Sequence, residues 1–132
     1  HFAFEWRDAF SVDVAALDSQ YKNLFQLINR LYQFSGDYSS VAGMLDTIFD
    51  TMKQHFTYEE NLMNQYGYTY LEQQKQEHQI MLEEILKFKR DLTENKQPNL
   101  LDFLTSLKER LIMHTLIEDK KYRSFFREKG VS

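Results

Sequence analysis

The chain has no cysteine, one proline and four glycines in 132 residues. Without cysteine there are no disulfides and no thiolate ligands, which fits a cytoplasmic setting. With so little proline and glycine the chain lacks the punctuation of a many-stranded fold, and long helices are favoured. No apolar run approaches the roughly 20 residues of a membrane span, so no membrane segment is expected here. No signal-peptide pattern is visible. No basic run stands out, and a net charge of -4 argues against nucleic acid as a partner.

What the chain does have is a 42% hydrophobic content spaced at steps of three and four. The length suits one domain with a real core, and residues 1–132 read as a single unit. Residues 1–17 show no helical period but carry Phe2, Phe4, Trp6 and Phe10, so they read as an arm laid across the fold, with Trp6 as a packing anchor. Asp18 is the expected N-cap of a first helix with the stripe Tyr21, Leu24, Ile28, Leu31, ending near Ser35-Gly36. Asp37 or Ser39 would cap a second helix over about 40–66, Gly67 would turn the chain, and a third helix would follow over about 69–94. Asn95 to Asn99, with Pro98, form the next connection. The fourth helix carries Leu100, Leu104, Leu107, Leu111 and His114, and Lys120 to Ser132 form a short tail helix. Short connections make neighbouring helices antiparallel. The fold class is therefore all-α, an up-down-up-down four-helix bundle with an N-terminal arm and a short C-terminal helix.

Polar residues interrupt these apolar stripes. His55 and Glu59 stand one turn apart in Val41, Met44, Leu45, Ile48, Met52, His55, Glu59, Leu62, Met63, Tyr66. Gln74 and His78 do the same in Leu71, Gln74, His78, Met81, Leu82, Ile85, Leu92. His114 closes the fourth stripe. Asp119 follows it by five, one residue out of step, so a bend or wide turn is needed to bring it inward. Antiparallel packing brings Tyr21, His55, Glu59, Gln74, His78, His114 and Asp119 to one end of the bundle. A buried carboxylate costs several kcal/mol unless it is paired or bound to a metal. Imidazoles, carboxylates and a phenol in one layer suit iron, manganese or zinc, and two carboxylates can bridge two ions. The same groups can instead close a metal-free hydrogen-bonded network. Tyr58, Tyr66 and Tyr70 read as packing residues, Glu60 as solvent-facing, and the charges of the third helix as a solvated face.

These motifs resemble the bacterial hemerythrin family over nearly the whole chain. FEWRDAFSVDVAALDSQYKNLF resembles its W…ysv.v…iD.QHk.L opening, HFTYEENLM its H-x-x-x-E-E motif, and HTLIED its closing H-x-x-x-x-D. The resemblance implies two oxo- or hydroxo-bridged irons held by five His, one Glu and one Asp. His55, Glu59, His78, His114 and Asp119 fall on five of those positions, with His78 and His114 on one iron, His55 on the other, and Glu59 and Asp119 bridging. Tyr21 stands at the first-helix His and Gln74 at the first His of the H-x-x-x-H pair. Tyr21 could ligate as a phenolate; Gln74 is a weak carbonyl ligand or a hydrogen-bond donor to a bound water or carboxylate.

The expectation is thus a non-haem iron domain with an altered dinuclear site. It would bind, sense or reduce O2, peroxide or NO rather than simply carry O2, with enzyme activity left open and fusion to signalling domains in a longer chain allowed. Two alternatives stand beside it. One is a single-metal site at His78, His114 and Glu59 or Asp119; the other is a metal-free module for interaction or sensory input.

Overall fold

The computed structural model describes residues 4–34 and 36–132. Phe2 and Ser35 lie outside the described residues. Helices α1 (Ala15–Gln33), α2 (Tyr38–Tyr66), α3 (Leu71–Thr93) and α4 (Leu100–Met113) form the bundle, and α5 (Lys120–Glu128) continues from α4 through a π-helical turn, His114–Asp119. Each bundle helix packs on two others, α1 on α2 and α4, α3 on α2 and α4, which closes the ring. The all-α up-down-up-down reading holds.

Local chemistry sets the helix ends. Asp37 caps α2 by accepting from the Ser40 N–H. Gly67 ends it in the left-handed conformation, φ 74°, which a side chain would strain. Asn99 caps α4 through the Asp102 N–H. Asp18 is not the cap expected of it. Helix α1 starts earlier, after Val14, and the Asp18 carboxylate instead accepts from the Val12 N–H at 3.0 Å and the Ser11 hydroxyl at 2.6 Å. The arm's backbone donors in that turn would otherwise be unpaired, so the carboxylate pins the arm to α1.

The arm crosses the bundle as expected. Phe4 stacks on Phe25 with ring centroids 3.7 Å apart, and Trp6 packs against Phe10 and Phe25. Asp13 holds Arg123 and Arg127 of α5, and the Lys120 ammonium donates to the Ser11 carbonyl. Arm and α5 therefore close the same end of the bundle.

The apolar interior comes in two bodies. The larger runs from Leu92 and Leu104 to Phe56 and Leu111. The smaller joins Val12, Val14, Leu17, Met63, Tyr68, Tyr122 and Phe126 beneath the arm and α5. On α2, Phe56 belongs to the first body and Met63 to the second, with Glu59 between them. The polar layer is thus sealed on both sides by hydrocarbon. Among the described residues no helix is long and apolar enough to cross a membrane.

Candidate metal centre

Tyr21, His55, Glu59, Gln74, His78, His114 and Asp119 are all buried, and Glu59 and Asp119 have no exposed surface. Each arrives by its helix phase: Tyr21 on α1, His55 and Glu59 on α2, Gln74 and His78 on α3. His114 and Asp119 begin and end the π turn. Its extra residue restores the register that the five-residue spacing had broken, so both side chains face inward.

Every imidazole of the layer is held from behind. His55 Nδ1 lies 2.8 Å from Gln20 Oε1, His78 Nδ1 2.7 Å from Glu60 Oε2, and His114 Nδ1 2.9 Å from Glu77 Oε2. Those oxygens can only accept, so each Nδ1 carries the hydrogen and donates it. The lone pair of the neutral ring is then left on Nε2, which points into the layer. Nε2 of His78 is 2.9 Å from Glu59 Oε1, Nε2 of His114 is 3.0 Å from Asp119 Oδ1, and Nε2 of His55 is 3.5 Å from Glu59 Oε2. None of these three approaches has the direction of a hydrogen bond, and among the described residues these Nε2 atoms, Glu59 Oε1, Asp119 Oδ1 and both amide atoms of Gln74 have no hydrogen-bond partner.

A lone pair facing a carboxylate oxygen is repulsive until something positive separates them. A proton or a cation can do this. With protons, burial alone would lower the His114 pKa, but the Asp119 charge outweighs it and holds the group up at about 9. His78 is raised in the same way: burial opposes the charged form, and Glu59 and Glu60 overcome it. Burial would raise the Glu59 carboxyl, yet its contacts with His55 and His78 hold it well below the usual range. A divalent cation would satisfy the same atoms. Nε2 or Nδ1 of the imidazoles and a carboxylate oxygen from Glu59, His78 and His114 lie within 4.8 Å of one another. The donor set and its unpaired buried atoms therefore fit a bound metal.

Two phenols complete the layer. Tyr21 Oη donates to Asp119 Oδ2 at 2.7 Å, and Tyr122 Oη donates to Glu59 Oε2 at 2.5 Å. Burial, reinforced by Asp119 and Glu59, pushes both phenols well above their ordinary pKa. Tyr21 becomes a phenolate only beside a compensating cation.

Several of these residues depart from the sequence reading. Glu60 is not simply solvent-facing: its half-buried carboxylate reaches His78. Glu77 breaks the solvated face assigned to α3 by holding His114. Gln20 and Tyr122 were not foreseen. Tyr122 follows Asp119 by three and precedes Phe126 by four, so it shares their inward face, but nothing in an apolar stripe marks its hydroxyl as part of the layer. Tyr66 packs on Phe126 as expected, whereas Tyr58 and Tyr70 are largely exposed.

Comparison with known proteins gives a consistent result. The family model described as the hemerythrin HHE cation binding domain matches residues 12–126. Bacteriohemerythrin of Stenotrophomonas maltophilia is 24% identical over 86 residues, 64% of this chain and 56% of that protein. The chain thus spans little more than half the length of the first curated relatives it matches. Bacteriohemerythrin of Clostridium acetobutylicum is 25% identical over 130 residues, covering 90% of this chain and 98% of that one. Myohemerythrin of Theromyzon tessulatum is 27% identical over 120 residues, 91% of each. A wild-type hemerythrin crystal structure superimposes with a TM-score of 0.85 at 25% identity, covering 92% of this chain and 95% of that one.

Proposed function

The chain belongs to the hemerythrin HHE cation-binding family, and on that premise we propose that its buried layer is a remodelled non-haem di-iron site that binds, senses or reduces O2, peroxide or NO. The observation that carries this reading is the orientation of the three imidazoles. Each has Nδ1 fixed by an oxygen acceptor and Nε2 left unpaired toward Glu59 or Asp119. Outer-layer acceptors of this kind set the tautomer and aim of metal-binding histidines.

In this reading His78 and His114 hold one iron and His55 the other, with Glu59 and Asp119 shared between them. Tyr21 takes the place of an imidazole, as a phenolate once a cation offsets its burial, and Gln74 offers its amide to a bound water or as a weak ligand. Bound iron would supply open coordination positions and electrons for a diatomic ligand or peroxide. The chain's own part is to present the three Nε2 atoms, keep the layer dry between two apolar bodies, and hold a proton at Tyr122 against Glu59. Two imidazoles fewer than the family pattern, and an anionic phenolate, favour Fe(III). Simple reversible O2 carriage is therefore disfavoured. The reading takes residues 1–132 as one such domain in a cytoplasmic setting, and it allows fusion to signalling domains.

A second reading has its own support. Glu59, His78 and His114 already form a compact group, which favours a single ion in that half. Iron analysis and the optical spectrum of protein purified without chelator separate the readings. Two irons per chain support the dinuclear site, and one supports the single-metal site. If no iron is found and added Fe(II) leaves melting unchanged, a metal-free interaction or sensory module replaces both.

A further inference from the structure

Tyr122 is the one phenol of the site whose ring also belongs to a chain of phenols leading outward. Its ring centroid is 6.0 Å from that of Tyr68, and Tyr68 is 5.8 Å from Tyr70, both edge-to-face. Exposure rises along the series, from 0% at Tyr122 through 8% at Tyr68 to 52% at Tyr70. We propose that Tyr122, Tyr68 and Tyr70 form an electron relay between the Glu59 carboxylate and the protein surface, serving one-electron reductants of the phenol or ascorbate class. The proposal rests on the redox reading above, in its peroxide form.

A tyrosine gives up an electron readily only if its hydroxyl proton has somewhere to go. The two ends of the series meet this condition. Tyr122 is hydrogen-bonded to Glu59 Oε2, and Tyr70 stands in water. The middle does not: the buried Tyr68 hydroxyl has no hydrogen-bond partner among the described residues. Tyr68 therefore passes the electron without holding the radical. The balance is simple. Hydrogen peroxide takes two electrons and two protons to give two waters. For each electron Tyr122 loses its O–H hydrogen as an electron toward the site and a proton to Glu59. An electron from Tyr70 refills Tyr122, which takes the proton back, and Tyr70 releases its own proton to water, so the two protons released there over the cycle balance the two that peroxide takes up from solvent. The external reductant then restores Tyr70 by giving up one hydrogen atom. A rival exit runs from Tyr21 through Phe25 to Trp6. The Lys22 ammonium lies 5.0 Å from the Trp6 ring and opposes positive charge there.

Two measurements test the relay. The chain has no cysteine, so a photo-oxidant can be attached to metal-free protein solely at Glu72→Cys, beside Tyr70. After a flash, the tyrosyl radical should become several-fold slower to react with ascorbate as it moves inward. Tyr122→Phe, which keeps the ring volume, should abolish that slow phase; an unchanged slow phase overturns the relay. In the second measurement, iron-loaded protein is treated with hydrogen peroxide and a phenol-trapping label, and labelled peptides are mapped. Label should appear on Tyr70 and fall several-fold in Tyr122→Phe. Tyr58 is the internal control, since it is 41% exposed but no ring contact among the described residues leads from it inward. Equal label on Tyr58 and Tyr70, or label centred on Trp6, overturns the relay. If iron-loaded protein leaves peroxide unconsumed, the redox reading fails, and the flash experiment alone decides whether the relay exists.

Discussion

The two halves of the polar layer are built from the same kinds of group but are backed differently. In one half His78 and His114 each hand their Nδ1 hydrogen to a carboxylate, Glu60 or Glu77. In the other, His55 hands it to the neutral amide of Gln20, and the place beside it is taken by the phenol of Tyr21, its ring centroid 4.2 Å from that of His55. A carboxylate behind an imidazole makes Nε2 a stronger donor than an amide does. Two imidazoles also outweigh one imidazole and a phenol that must first lose its proton. The His78/His114 half should therefore load first, and the His55/Tyr21 half should decide what the second position can do. Glu59 belongs to both, with one oxygen toward His78 and the other toward His55.

The largest test removes what the halves share. Glu59→Gln should abolish cation uptake in both halves at once. It also leaves His78 without its buried anion and takes a charge from the Tyr122 contact, so the metal-free protein should lose about 3–5 kcal/mol in denaturant unfolding. If one ion still binds with unchanged affinity, Glu59 is not shared and only Asp119, between His114 and Tyr21, links the halves.

Next comes pH, which acts on the better-furnished half. The His78 and His114 pKa values are raised in the folded state, His114 to about 9. A raised histidine contributes stability that is complete below its unfolded value of about 6.5 and is lost as pH climbs through the folded value. Metal-free protein should thus lose on the order of 3 kcal/mol between about pH 6.5 and 9. The depressed Glu59 works in the opposite sense, contributing above its unfolded value and losing that contribution only well into acid. Cation affinity should run against stability, rising toward pH 9 with release of protons, because metal and proton compete for Nε2. Unfolding and Zn(II) titrations across this range check both trends. Affinity that is flat with pH would mean the cation is not held by these imidazoles.

Smaller again is the effect of the backing groups, and it measures the difference between the halves directly. Glu60→Gln and Glu77→Gln should each weaken the first ion by about 10–100-fold. Gln20→Leu should leave that ion alone and affect only the second. Calorimetric titration of wild type and the three variants decides. Equal losses from Gln20→Leu and Glu77→Gln would erase the proposed order of loading.

These backing residues also mark where sequence reasoning stopped. The inward residues were legible because each sits where a three-four stripe calls for hydrocarbon, and no apolar pattern explains Glu59 or His78. Asp119 was legible as an anomaly, five residues after His114, which a π turn resolves. Glu60 and Glu77 were not, because each adjoins an inward residue on the half-exposed flank of its helix, where a charged side chain is the ordinary occupant. Only the reach of the side chain back over the rim gives it a role. Tyr122 lies eleven residues after Leu111, in phase with the fourth stripe, and reads as ordinary packing because only its hydroxyl, which no apolar pattern predicts, reaches Glu59. Asp18 looked like a cap because the helix start was placed too late, beyond the Val14 that begins it.

The smallest expected change in stability comes from Tyr21→Phe, and it bears most on what the second half does. Phe fills nearly the same volume, so the cost should stay near the roughly 1 kcal/mol of one hydrogen bond, here the one to Asp119. The spectrum is the informative readout. If Tyr21 binds Fe(III) as a phenolate, the oxidised protein should show a broad visible phenolate-to-iron charge-transfer band, and Tyr21→Phe should remove it. The paired change Tyr21→His with Gln74→His should replace an anion and a weak donor with two neutral imidazoles. That shifts preference from Fe(III) toward Fe(II), so iron occupancy of the second position and the lifetime of the diferrous protein in O2 should both increase. If iron-loaded wild type lacks the band and Tyr21→Phe changes nothing in its spectrum, Tyr21 acts only as the proton donor seen on Asp119. If the paired variant also takes up no second iron, the contrast between the halves is one of one metal site and one hydrogen-bonded support. The single-ion reading of Glu59, His78 and His114 would then stand in place of the dinuclear one.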